Sequence, residues 1–220
     1  GYDWWIPDRQ LAAAPRHSPE AESYLGAMGA AANYAFANRA VLAQRLITAL
    51  EVHTKTTVDW STVYDVAHNI AKDEEHVING KRCTCSVHRK GATRAFPGSH
   101  EELCPEHKPT GQPVLVPGDM GTGSWLLAAP KTNMNPAFGS SCHGAGRRLS
   151  RAAAREQVDV AALMERLRAS GIHLKHGTER GLAEEAPEAY KPVDDVVDAT
   201  ERAELARRVA KLSPRVVVKG

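Results

Sequence analysis

The sequence has 220 residues, of which 25% are charged and 42% hydrophobic, and its formal net charge is +2. A chain of this length forms one large domain or two small ones and can bury a core. The near balance of charge excludes a polycation that coats nucleic acid nonspecifically, so any basic surface must be local. No apolar run is long enough to span a membrane. Four cysteines and no recognisable signal peptide predict a cytoplasmic protein.

The first 17 residues predict an irregular lead-in, because they contain proline and tryptophan without a clear period. The chain starts with Gly1 rather than Met, which is typical of a fragment or a processed product. Ser18 and Pro19 then mark a helix start, with Ser as the N-cap and Pro at the first helical position. Apolar residues recur at three- and four-residue steps from there to about His53, which predicts one long core-facing helix.

The rest of the chain combines short strands with helices. Between about 57 and 130, short apolar runs separated by Gly and Pro predict strands, namely Thr62–Val66, Cys85–His88, Pro113–Val116 and Ser124–Ala129. Asn79-Gly80 predicts a hairpin turn. After Ser150 we expect helices at Val158–Ser170 (closed by Gly171), Val193–Ala199 and Glu201–Leu212, and strands at Ile172–Leu174 and Val216–Val218. This order predicts an α+β fold.

The segment Ser140–Arg151 contains the strongest chemical signal. His143 lies in a glycine-rich turn, and Arg147 and Arg148 follow it closely. Backbone N–H groups in such a turn bind phosphate, and arginine complements phosphoryl oxygens. An imidazole there is either a phosphate-facing donor or a nucleophile toward phosphorus. From the segment alone, a tight turn without a chemical role is equally consistent.

Two further segments carry weaker signals for a metal or a nucleotide. His68, predicted at a strand end and followed by Asn69, could be a manganese or zinc ligand, although a capped helix start with an exposed histidine is the plainer interpretation. The loop Val116–Ser124 is rich in glycine but lacks the Gly-Lys-Ser/Thr of a P-loop. Its N–H groups could still line a nucleotide pocket.

Basic residues and cysteines in the middle of the chain allow more than one interpretation. The stretch His88–Arg94 suits contacts to phosphate or to an RNA backbone, and a solvated basic hairpin explains it equally well. Four side chains could form a zinc site, namely Cys83, Cys85, Cys104 and His107. The first two alternate along a predicted strand and would point to opposite faces, so zinc is the minority interpretation. Cys142 is best explained as a small buried side chain.

Taken together, these segments resemble the RtcB family of RNA ligases over nearly the whole chain. The resemblance lies in Pro7–Ala12, Asp65–Asn69, His88–Phe96, Gly111–Ser124, Ser141–Arg147, Glu185–Lys191 and the final Lys219-Gly220. It implies the C-terminal part of an RtcB-like catalytic domain over residues 1–220, with a mixed sheet, a long N-terminal helix and C-terminal helices.

The resemblance also implies an activity and a set of site residues. Such ligases use GTP and Mn²⁺ to join RNA ends bearing a 3′-phosphate or 2′,3′-cyclic phosphate to ends bearing a 5′-hydroxyl, as in tRNA splicing and RNA repair. His143 would carry a covalent GMP, and His68 would be a manganese ligand. The residues implied in binding guanylate or phosphate are Asn69, Lys90, Pro117, Gly118, Asp119, Met120, Ser124, Gly144, Ala145, Gly146, Arg147 and Lys219.

The chain departs from the family pattern at the metal site. The other metal ligands of the family belong to motifs that this sequence lacks and that precede the matching region. Asp119 stands where many members have Ser. Two hypotheses therefore remain: an RNA ligase whose N-terminal part is missing here, or a non-catalytic module that binds guanine nucleotide or RNA.

Overall fold

The computed structural model of the chain describes residues 5–8, 11–131 and 134–219, with Lys219 described by its backbone alone. The chain divides into two compact units, the first ending at His88 and the second beginning at Arg89. The α-helices are α1 Pro19–Thr54, α2 Arg151–Gln157, α3 Val160–Ala169, α4 Glu179–Glu184 and α5 Val193–Arg202. Short 3-10 helices cover Pro105–His107 and Pro187–Ala189.

The strands form several small sheets rather than one large one. They are β1 Asn69–Ile78, β2 Lys81–Lys90, β3 Ala92–Arg94, β4 Pro113–Pro117, β5 Ser124–Ala128, β6 Ser140–Cys142, β7 His173–His176, β8 Arg207–Leu212 and β9 Val216–Lys219. In the described part of the chain, the sheets are β1-β2, β3-β6, β4-β5-β8 and β7-β9. Strands β7 and β9 run parallel to each other. The predicted α+β class, with a long N-terminal helix and C-terminal helices, is confirmed.

Helix α1 forms where its capping residues predict it. The Ser18 side chain accepts a hydrogen bond from the backbone N–H of Ala21 at 3.2 Å, and Pro19 is the first helical residue. The helix ends where Lys55 adopts the left-handed conformation and its N–H donates to the Glu51 carbonyl. The start agrees with the sequence signals for an N-cap serine and a first-turn proline, and the end lies close to His53, where the apolar period stops. Among the described residues, no helix is long and apolar enough to cross a membrane.

The first unit contains the predicted hairpin turn, but its strands differ from the predicted ones: β1 begins after the run Thr62–Val66, and β2 begins at Lys81, before the predicted Cys85. Asn79 and Gly80 join β1 to β2 with φ values of 50° and 76°, as a two-residue hairpin turn requires. The run Thr62–Val66, predicted as a strand, has no regular structure, and His68 lies in a bend before β1 rather than at a strand end. The apolar pattern is misleading here because β1 is polar and its extent follows from pairing with β2 around the turn.

One predicted helix in the second unit is wrong. The residue pattern predicts a helix over Glu201–Leu212, but α5 ends at Arg202 and β8 follows from Arg207. Glu204 has a left-handed φ of 56°, which turns the chain back so that β8 pairs with β5. The usual glycine stop signal is absent at this position, so no local feature of the sequence marks the end of the helix.

Two clusters of buried apolar side chains hold the second unit together. The first packs the β4-β5-β8 sheet against α5 through residues such as Val116, Leu127 and Val197. The second joins α3, α4 and the loop after β4, and it includes Met120 and Leu163. Val116, just before this loop, belongs to the first cluster, and Met120, within the loop, belongs to the second. The segment between them is therefore anchored at both ends.

Asp194 links α5 to the sheet by two bonds, and we expect Asp194→Ala to lower the free energy of unfolding by about 1 kcal/mol. Its carboxylate accepts from Trp125 Nε1 at 2.7 Å and from Lys211 Nζ at 2.8 Å. The hydrogen bond from Lys211 and, to a smaller extent, the one from Trp125 lower the pKa of Asp194 below its usual value. A lowered pKa stabilises the fold above the unfolded-state value of about 3.9, and this contribution is lost as the pH falls through the lower folded value.

Urea unfolding at neutral and acidic pH measures this effect, with Asp195→Ala as the matched control. Both carboxylates lie in the first turn of α5, so both substitutions change the interaction with the helix dipole equally. Equal losses for the two variants would contradict a specific role for the Trp125 and Lys211 bonds.

Candidate functional site

His143 directly follows a strand whose register places it beside a glycine. Strand β6 pairs antiparallel with β3, with Cys142 opposite Ala92, so the register brings His143 opposite Gly91. A Cβ added to Gly91 would lie 3.6 Å from Nε2 of His143, and Gly91 has a φ of +71°. Glycine therefore suits both the turn and the space next to this nitrogen. The result is a half-buried imidazole with an edge that no side chain at position 91 covers.

The residues after His143 fasten its turn to the loop that follows β4. The N–H of Ala145 donates to the Pro117 carbonyl at 3.1 Å, and the Ala145 side chain is buried. A Cβ on Gly144 would lie 3.5 Å from the same carbonyl oxygen. The His143 turn and the loop 117–124, predicted from separate stretches of sequence, thus pack against each other.

Loop 117–124 is held in shape by Asp119 and by its glycines. One carboxylate oxygen of Asp119 accepts from the N–H groups of Gly121 and Thr122 at 2.8 and 2.9 Å, and the other accepts from the Thr122 hydroxyl at 2.7 Å. A Cβ on Gly118 would lie 2.0 Å from the Gly123 carbonyl oxygen, so only glycine allows this close approach. The Asp119 side chain therefore acts within the loop, which gives it a structural role whatever it contacts in a ligand.

A cavity of about 390 Å³ opens beside this loop. Five of the residues predicted to contact guanylate line it, namely Pro117, Gly118, Asp119, Met120 and Ser124. The remaining lining residues are Gly123, Glu185, Tyr190, Leu212–Pro214 and Val216–Val218. Cavities of this size hold small organic ligands. Apolar side chains and polar groups both line the cavity, a mixture that suits the base and sugar of a nucleotide.

Arg147 belongs to a hydrogen-bonded network at the edge of the cavity. Its guanidinium donates to the Glu184 carbonyl at 2.6 Å and to the Tyr190 hydroxyl at 3.1 Å, and it contacts the Glu185 carboxylate at 3.4 Å. The Tyr190 hydroxyl donates to Glu185 at 2.5 Å. Burial and this carboxylate raise the pKa of Tyr190, so it remains a neutral phenol. The predicted contact of Arg147 with phosphate stays a prediction, since these bonds orient the guanidinium toward protein groups.

The other predicted site residues occupy different elements. Lys90 is exposed at the end of β2, and Gly146 is exposed with a φ of +75°. The Lys219 backbone pairs with His176 in the β7-β9 sheet, so Lys219 extends the strand that forms one cavity wall. His68 and Asn69 are exposed residues of the first unit.

The described residues do not form a metal site. Nowhere among them do three His, Cys, Asp or Glu side chains come together to hold a metal ion. His68 is therefore not part of such a group, and neither are the four residues of the zinc hypothesis. The cysteines among those four form no disulfide bond. One imidazole does not hold Mn²⁺ firmly, because such cations need several oxygen and nitrogen donors at once. The residues present therefore do not by themselves fit a manganese ion.

Comparison with known proteins explains why these segments occur together. A family model described as "tRNA-splicing ligase RtcB" matches residues 1–220 of the chain. The chain belongs to the RtcB family. A relative from Nanoarchaeum equitans named "tRNA-splicing ligase RtcB" is 46% identical over 222 residues, which is 100% of this chain and 46% of that protein. An "RNA-splicing ligase RtcB" from Mycobacterium bovis is 49% identical over 215 residues, which is 98% of this chain and 49% of that protein.

These shares show that the chain spans about half the length of these RtcB relatives. The "tRNA-splicing ligase RtcB" of Methanocaldococcus jannaschii is longer, and the match covers 22% of its length. In this chain, the region that matches these relatives contains the His143 turn, loop 117–124 and the cavity.

Two separate signals indicated the loop that lines the cavity. The glycine-rich pattern of Val116–Ser124 indicated a nucleotide pocket, and the RtcB resemblance implied guanylate contacts at Pro117–Met120 and Ser124, which line the cavity. It also included Glu185 and Tyr190 without giving them a role. The wall built from Leu212–Val218 was missed, because the residue pattern predicts a helix through Leu212. The hydrophobic run Val216–Val218 was the available signal, since a strand must find a partner and thereby approach the sheet.

Proposed function

We propose that this chain supplies the guanylate-binding and nucleophilic part of an RNA ligase that joins 3′-phosphate or 2′,3′-cyclic phosphate ends to 5′-hydroxyl ends, using GTP and Mn²⁺. The observation that carries the proposal is the packing of the His143 turn on loop 117–124, which borders the cavity. A nucleotide in that cavity would have backbone N–H groups of the loop on one side. Pro117 belongs both to the cavity lining and to the contact with the His143 turn.

The proposed chemistry begins at the imidazole of His143. A ring nitrogen forms a bond to the α-phosphorus of GTP as the bond to pyrophosphate breaks, which leaves GMP on the histidine. Water first opens a 2′,3′-cyclic phosphate end, breaking its bond to the 2′-oxygen and leaving a 2′-hydroxyl and a 3′-phosphate. The RNA 3′-phosphate then takes the GMP and frees the imidazole. The 5′-hydroxyl of the second RNA attacks the activated phosphate, loses its proton and displaces GMP. Backbone donors and nearby arginines would balance the charge on the moving phosphoryl group.

We further propose that the remaining manganese ligands come from the part of the ligase that this chain does not span. His68 would contribute one ligand. The metal would neutralise triphosphate charge that otherwise opposes attack by the imidazole. The relatives' greater length supports this arrangement, because they contain as many residues again as the matched region.

We expect the 220-residue chain alone to bind Mn²⁺ weakly and not to seal RNA. The test adds the part of the Mycobacterium bovis relative outside the 215 matched residues, made as a separate polypeptide and called here the complement. Sealing of RNA with a 3′-phosphate end and a 5′-hydroxyl end is measured with GTP and Mn²⁺. Activity should require both polypeptides. Robust GTP-dependent sealing by the chain alone would contradict the divided metal site, and nucleotide binding without any sealing by the pair would favour the non-catalytic module.

Deletion of Lys219-Gly220 should abolish guanylylation while the fold persists. Lys219 continues the strand whose preceding residues, Val216–Val218, line the cavity, and the family resemblance implies that Lys219 contacts guanylate. Transfer of label from α-labelled GTP measures the effect, and circular dichroism checks the fold. Lys175→Ala on the neighbouring strand is the matched control. Normal labelling of the truncated protein would show that Lys219 ends the strand without contributing to guanylylation.

A further inference from the structure

Helix α1 exposes a large apolar surface that the first unit does not cover. Leu42, Leu46 and Leu50 lie four residues apart on one side of the helix, and these residues are 54%, 62% and 44% exposed. Residues at this spacing form a continuous stripe. Tyr34, Val41 and Val52 are also exposed. From residue 40 to 54 the helix has only two residues with formal charges, Arg45 and Glu51.

The described part of the first unit also lacks a core of its own. Of the described residues up to His88, the buried hydrophobic ones are Ala32 and Ile47. Both clusters of buried apolar side chains lie entirely in the second unit. A helix that is apolar on most sides is normally buried, and an exposed apolar stripe of this size marks a contact surface. Helix α1 therefore has the apolar surface of a buried helix, but the described part of the first unit does not cover that surface.

We propose that the stripe Leu42-Leu46-Leu50 is the docking surface for the part of the ligase that this chain does not span. The relatives are about twice as long as the matched region, so a second polypeptide segment of comparable size exists in each of them. The stripe carries no charge and requires an apolar partner face. Docking there covers the leucines and gives the first unit the core that it lacks.

The direct test measures binding between the chain and the complement without GTP or RNA. Titration calorimetry should show that Leu42→Glu with Leu46→Glu weakens binding at least about tenfold, because buried charges oppose an apolar interface. Glutamate keeps a high helix propensity, and circular dichroism checks that α1 persists. Gln44→Glu is the matched control, because position 44 lies on the opposite side of the helix from position 46 and the substitution adds a charge of the same sign.

A second measurement keeps the proposal testable if the double variant folds poorly. Hydrogen exchange of the unaltered chain should slow along residues 40–52 when the complement is added. Unchanged exchange in α1, no binding by the complement, or equal binding by the double variant and the control would each overturn the proposal. If the chain forms a homodimer that the double substitution disrupts, while binding to the complement is unaffected, the stripe would instead bind a second copy of the chain. Failure of binding is distinguishable from failure of the proposed function, since labelling of His143 is measured separately.

Discussion

Replacement of His143 by alanine in the chain combined with its complement should abolish both guanylylation and RNA sealing, with a loss of at least about ten-thousandfold in rate. Alanine removes the only atom proposed to form a bond to phosphorus, so no weaker route through the same intermediate remains. The backbone of the turn should persist, because the hydrogen bond from Ala145 to Pro117 and the pairing of β6 with β3 do not involve the His143 side chain.

The control for this experiment is a histidine elsewhere in the second unit. His173 is exposed in β7, and His173→Ala should leave labelling and sealing close to the unaltered level. Unfolding in urea should show similar stability for both variants. Undiminished labelling of the His143→Ala protein would refute the assignment of the nucleophile. Equal losses in the two variants would show that the effect does not depend on position 143.

Replacement of Gly118 by alanine should disrupt the cavity beside loop 117–124 without changing the imidazole of His143 itself. The added methyl carbon would lie 2.0 Å from the Gly123 carbonyl oxygen and 3.1 Å from a methyl group of Val193, so the loop must move. We expect the free energy of unfolding to fall by about 2–3 kcal/mol. Guanylylation should fall by about a hundredfold, since displacement of a positioning loop by about 1 Å has effects of that order.

Gly26→Ala is the control, because we expect this substitution to raise the free energy of unfolding rather than lower it. Gly26 lies inside α1, and a Cβ there would meet nothing within 4 Å. Alanine at that position should stabilise the protein by about 0.5–1 kcal/mol and leave guanylylation unchanged. Chemical denaturation and labelling with α-labelled GTP give both quantities. A Gly118→Ala protein with normal stability and normal labelling would contradict the proposal that loop 117–124 binds guanylate.

The elements with clear local signals were predictable from sequence. Helix α1 has an N-cap serine, a proline at its first position and a helical period, and its observed start agrees with them. The Asn79-Gly80 turn is likewise determined by conformations that these two residues adopt readily. Strand β8 could not be predicted in the same way. Its sequence contains good helix formers, and it becomes a strand through pairing with β5 after Glu204 reverses the chain.

The candidate site was predictable in its parts but not in its assembly. The glycine turn around His143 and the loop 117–124 were both recognised from residue types and from the family resemblance. The contact between them depends on the bond from Ala145 to Pro117, which joins residues far apart in the sequence and leaves no local pattern. The position of His143 beside Gly91 depends in the same way on the register of β6 with β3.

The most direct test of the central claim is to locate the guanylate on the protein. The chain and its complement are incubated with GTP and Mn²⁺, digested under conditions that preserve phosphorus–nitrogen bonds, and analysed by tandem mass spectrometry. We expect a single GMP adduct on the peptide that contains Ser140–Arg147, with the fragment ions placing it on His143. An adduct on another residue, such as Lys90 or Lys219, or the absence of any adduct from a preparation that seals RNA, would contradict the account.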